Sequence, residues 1–114
     1  MQLKARTKNI VVTPSICKGS EDKFSLVFRY PSQVDLLKLA DLRDNGQIVA
    51  FIDGLFVEFD NKPEILDEDG KAIDFKSFAD MMSLGGSEIT SVLVDVVEEF
   101  QSLKDNAGKT EKKS

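Results

Sequence analysis

The chain has 114 residues, a formal net charge of −5, 41% hydrophobic and 31% charged residues, which is the make-up of a single folded domain able to bury a core without staples. It contains no histidine and one cysteine, Cys17. These counts remove every Ser-His or Cys-His nucleophile pair, the commonest zinc ligand, an internal disulfide and a thiolate metal cluster.

No apolar run nears the ~20 residues that span a bilayer. The N-terminus, Met1 to Arg6, has no hydrophobic segment behind its charges. A lone cysteine suits a reducing compartment, so a cytoplasmic location is expected. The acidic balance argues against nucleic acid as a partner, and nothing points to a membrane, a metal or a cofactor. Lys4, Arg6 and Lys8 form a local basic row that reads as a solvated strand face.

In chain order, residues 2–12 read as a strand ending at Pro14. Residues 23–30 alternate, with Phe24, Leu26, Phe28 and Tyr30 on one side and Ser25, Val27 and Arg29 on the other. The segment from Cys17 to Asp22 is turn-like, which predicts an antiparallel hairpin. Pro31 ends the strand, and Ser32 is placed to cap a helix. On that helix Leu36, Leu37, Leu39 and Ala40 share the apolar face. Val34 and Leu42 fall opposite, with Asp35, Lys38 and Asp41, and become candidates for partner contact.

Asn45-Gly46 reads as the end of that helix. Residues 47–59 allow two readings. Ile48, Phe51, Ile52, Leu55, Phe56 and Phe59 make a stripe at helical spacing, which favours helix, while a strand through Leu55–Phe59 also fits. The run from Ile65 to Ile73 holds the acidic cluster Asp67-Glu68-Asp69 before Gly70, a hairpin-turn signal. An EF-hand register fails, because its first and twelfth positions fall on Ile65 and Lys76. Asp74 is expected to cap a helix over 75–84 with Phe75, Phe78, Ala79 and Met82 inward.

After Gly85-Gly86, Ser87 is expected to cap the clearest amphipathic helix. Ile89, Val92, Leu93, Val96, Val97, Phe100 and Leu103 form its stripe, and Val94 lies on the polar side as a third partner-contact candidate. Residues 105–114 bring no large apolar side chain and are expected to be a flexible polar tail. The expected fold class is α+β: an N-terminal antiparallel β-hairpin, a short acidic β-turn and a mainly helical C-terminal half, with residues 1–104 as one domain.

No catalytic constellation emerges. The acidic cluster lies on a turn rather than in a cleft, and Gly85-Gly86-Ser87 lacks the lysine of a phosphate loop. The chain reads as a non-enzyme that works by binding proteins. Phe28-Arg29-Tyr30-Pro31-Ser32, running from strand to helix, and Leu66-Asp67-Glu68-Asp69-Gly70-Lys71 before the helical half resemble the tail assembly chaperones of long-tailed bacteriophages. The likeness covers roughly residues 24–103.

The resemblance implies a non-catalytic protein that binds the tape measure protein, helps recruit the tail-tube protein, acts in the host cytoplasm and is absent from the mature virion. Such genes commonly carry a programmed frameshift near their end, and Glu111-Lys112-Lys113 is compatible with a slippery heptamer. Self-association is expected from the surplus apolar groups. The alternatives are a small adaptor or inhibitor docking on one host or phage protein, and a hydrolase using Asp67, Asp69 and Asp74.

Overall fold

The computed structural model describes the backbone of residues 1–112 and the side chains of residues 1–104. The expectation of a flexible tail at 105–114 concerns side chains and a terminus outside the described residues. The fold is α+β. Three strands, β1 (Ile10–Val12), β2 (Ser25–Phe28) and β3 (Phe56–Asp60), form an antiparallel sheet in that spatial order. A small second hairpin pairs β4 (Ile65–Leu66) with β5 (Ala72–Ile73). The helices are α1 (Gln33–Asp41), α2 (Asn45–Asp53), α3 (Phe78–Met82) and α4 (Ser87–Lys112).

The expected hairpin is present as β1 and β2, paired Ile10 to Phe28 and Val12 to Leu26. Only the last three residues of the expected 2–12 strand are strand, and residues 1–9 are exposed. β2 follows its alternation on the core side, where Phe24, Leu26 and Phe28 are buried in the main core cluster and Tyr30 packs on its margin. Val27, expected outward, is also buried, outside that cluster. α1 starts where Ser32 predicts. The Ser32 hydroxyl accepts from the Asp35 N–H at 3.1 Å, and the Asp35 carboxylate accepts from the Ser32 N–H at 2.9 Å. This is a reciprocal capping box, with Asp35 in the usual place of Glu.

Four boundaries differ from expectation. Asn45-Gly46 opens α2 instead of closing α1. Asp44 caps α2 by accepting from the Gln47 N–H at 3.1 Å, and α1 has already ended at Asp41. The 47–59 stripe divides into helix and strand: α2 stops at Asp53, and β3 pairs with β2. Asp74 caps nothing, because Ser77 takes that role for the shorter α3 by accepting from the Asp80 N–H. α4 begins at Ser87 itself, after Gly86 at φ 128°, so Ser87 is its first helical residue rather than a cap outside it.

An aromatic cluster organises the core. The Phe28 ring is fully buried and meets Phe56, Phe78 and Phe100 edge to face, with centroids 5.7, 5.7 and 5.3 Å away. These partners come from β3, α3 and α4, so one side chain joins the sheet to the helical half. From α4, Val92, Val96 and Phe100 enter the core fully buried, as the stripe predicts. Asp95, on the flank of that stripe, accepts from both the N–H and the hydroxyl of Ser15, at 2.7 and 2.9 Å. This ties α4 to the short 3-10 turn at Ser15–Cys17. Asp53, at the end of α2, accepts from the Ala79 N–H at 2.8 Å and fixes α2 against α3.

Candidate partner-binding surface

The three partner-contact candidates occupy separate elements. Val34 lies in the first turn of α1 and is 61% exposed, and Val94 on α4 is 47% exposed. Leu42 is half-buried at the C-cap of α1, where its backbone has left the helix (ψ 137°). Its N–H donates to the Leu39 carbonyl, and the Arg43 guanidinium closes over the Ala40 and Leu42 carbonyls. Leu42 therefore offers less open surface than its helical phase implies. None of the three belongs to the core cluster.

The structure adds apolar side chains that the sequence reading places elsewhere or leaves unassigned. Leu37, expected inward, is 69% exposed, and it stands one helical turn from Val34. Together they form an apolar pair on the outward face of α1. On the outer face of the sheet Val11 pairs across from Val27, and Val11 and Val57 remain 59% and 49% exposed. No local signal marks Val11 or Val57, because their exposure depends on which strand lies beside them.

An open groove of about 540 Å³ lies between the β4–β5 hairpin and the start of α4. Ile16, Phe24, Ile65, Met81, Ile89 and Val92 supply its apolar wall, and Glu64 and Glu88 line it as well. The acidic turn beside this hairpin is held by its own carboxylate. Asp67 Oδ1 accepts from the N–H groups of Asp69 and Lys71, both at 2.9 Å, and Gly70 takes φ 80°. Asp67 thus does the work of an Asx turn. Cys17 is buried against the Phe24 carbonyl at 3.8 Å, so its thiol is a core group.

Charge is laid out in opposing patches. Lys4, Arg6 and Lys8 are exposed on the N-terminal segment, while Glu58 and Asp60 are exposed on β3. Asp35 and Arg29 form an ion pair at 3.5 Å. The Ser32 backbone N–H, foremost, holds the Asp35 carboxyl below the usual carboxylate range. The Ser32 hydroxyl and the Arg29 guanidinium add to this against the opposing effect of burial. No helix among the described residues is long and apolar enough to cross a membrane. No family model, curated protein or solved structure matches the chain.

Proposed function

We propose that this protein is a non-catalytic tail assembly chaperone, which keeps a phage tape measure protein in solution and helps bring tail-tube subunits to it. It would do so in the host cytoplasm and leave before the virion is complete. The observation that carries the reading is apolar surface left open on regular elements: Val34 and Leu37 on α1 and Val94 on α4. A partner's apolar helix face is covered by such side chains without any catalytic group. Two local features support the reading. The Phe28-to-Ser32 step runs directly from β2 into a capped α1, and the Asp67-to-Gly70 turn closes a hairpin ahead of α3 and α4. Both are segments on which the family resemblance rests.

The test is co-expression with the long coding sequence that adjoins this gene. The chaperone reading expects that product to become soluble and to sediment with many copies of this chain. Val34→Asp with Leu37→Asp should remove the rescue while leaving the far-UV circular dichroism unchanged. No rescue, or a strict one-to-one complex, would replace this reading with that of an adaptor docking on a single protein. The codons from position 100 onward give an independent check, since a slippery heptamer at Glu111-Lys112-Lys113 belongs to the first reading alone.

A further inference from the structure

Two halves of an unmade strand pairing are present in each copy. The first is the N-terminal arm. Residues 2–8 have strand patterning, with Lys4, Arg6 and Lys8 alternating with Leu3, Ala5 and Thr7, yet the segment is outside any strand and fully on the surface. Leu3 is 90% exposed. The second is the outer edge of β3. The sheet ends there, and no loop backbone bonds to residues 56–60 among the described residues. A free edge of this kind is a template for another strand.

The chemistry of the two halves matches at two-residue spacing. Glu58 lies across from Val27 and Asp60 across from Ser25, on the outer face, and both are exposed. Phe56 and Phe59, on the core side, are only half-buried. A strand laid on this edge meets carboxylates on one face and aromatic rings on the other. The arm supplies cations on one face and Leu3 and Ala5 on the other. Neither Glu58 nor Asp60 makes an ion pair among the described residues, nor do Lys4, Arg6 and Lys8.

We propose that the arm of one copy, residues 2–8, adds as a fourth strand to the β3 edge of a second copy. A chain's own arm does not serve. It leaves the sheet from β1, and the free side of β3 lies three strand spacings away, about 14 Å. Crossing that distance uses about four extended residues. Lys8 and Arg6 would be spent on the crossing instead of facing Glu58 and Asp60. Reciprocal exchange closes a dimer, and one-way exchange builds a row of copies. This inference does not rest on the chaperone reading, and its test uses the isolated chain, so either can fail alone.

The experiment is sedimentation equilibrium of the full chain over a concentration series at low and high salt. Two surface variants are used: Glu58→Lys with Asp60→Lys, and Lys4→Glu with Arg6→Glu and Lys8→Glu. Wild type should associate at low salt and weaken at high salt, because exposed pairs are screened. Each variant should weaken association by about tenfold or more. An equimolar mixture of the two variants should restore it, since each arm then meets an edge of opposite sign. Glu58→Lys with Asp60→Lys brings the formal net charge of −5 close to zero, so loss of general repulsion would strengthen association instead. A wild type that stays monomeric throughout, a variant that associates unchanged, or a mixture that fails to recover would overturn the proposal. All five substituted positions are exposed, and far-UV circular dichroism confirms that each variant is folded.

Discussion

Replacing Phe28 tests whether one ring holds the sheet to the helical half. Phe28 is fully buried and makes three edge-to-face contacts, to Phe56, Phe78 and Phe100. Phe28→Leu keeps an apolar side chain but removes the ring geometry. Each aromatic pair is worth about 0.5–1.5 kcal/mol beyond its buried area. The three together give an expected loss of about 2–4 kcal/mol, and Phe28→Ala should lose about 3–5 kcal/mol. A domain of this size has about 5–15 kcal/mol in total, so the alanine variant approaches the limit of folding. The chain has no tryptophan and one tyrosine, so far-UV circular dichroism in a urea series is the suitable probe. The midpoint should fall while the slope holds. Leu37→Ala, on the exposed side of α1, is the control and should stay within about 0.5 kcal/mol. A double-mutant cycle of Phe28→Leu with Phe100→Leu should show coupling of about 0.5–1.5 kcal/mol. A Phe28→Leu variant within about 0.5 kcal/mol of wild type, or strict additivity with Phe100→Leu, would refute the central role assigned to this ring.

Other positions give smaller and more local effects. Asp35 has its carboxyl held below the usual range in the folded state, so its contribution is present above that range and lost as pH falls through the lowered value. Asp35→Ala should therefore cost about 1 kcal/mol near neutral pH, and the gap to wild type should close in urea titrations repeated at pH values below the lowered carboxyl range. Asp95→Ala removes the acceptor for both Ser15 donors and should lower stability by about 1–2 kcal/mol, with faster amide exchange at Ser15. Gly70→Ala meets no neighbouring atom but must hold φ 80°, so thermal unfolding should register a cost of about 1 kcal/mol from backbone conformation alone.

The segment from Ile48 to Phe59 shows how a true periodicity misleads. Its apolar stripe at helical spacing is real, yet β3 occupies the second half. The sheet register explains why. Phe28 lies across from Phe56 and Val27 across from Glu58, so Val57 is an extra residue in β3. Such a bulge changes the strand's spacing locally from two residues to three. Phe56 and Phe59 consequently both face the core, with ring centroids 4.9 Å apart, as they would on adjacent turns of a helix. Gly54 is the discriminating residue. It caps α2, bonding back to Ala50 and Phe51, and the chain turns there toward the sheet. By contrast, β2, α1 and α4 were readable because each is defined by alternation, a cap or a long stripe within its own few turns.

The candidate surface divides along the same line. Val34 and Val94 are legible from phase alone, since each sits opposite a stripe that is buried. Leu37 shows an apolar face drawn too wide: at 3.6 residues per turn it stands about 100° from Leu36 and about 160° from Leu39, the two residues that α1 buries, and closer to Val34. A helix of nine residues that touches the body over a narrow strip buries a narrower arc than its apolar face spans. Leu42 fails for the opposite reason. Helical phase was extended one residue past the last helical one, where ψ is already 137° and the angle has no meaning. Val11 and Val57 lie beyond any local reading, because one depends on its pairing with β2 and the other on the bulge. The arm shows the remaining case: its alternation is weak but visible in the sequence, and among the described residues no strand of the same copy pairs with it. Local pattern specifies what a segment can pair with, and only the assembled sheet shows whether the partner is in the same chain.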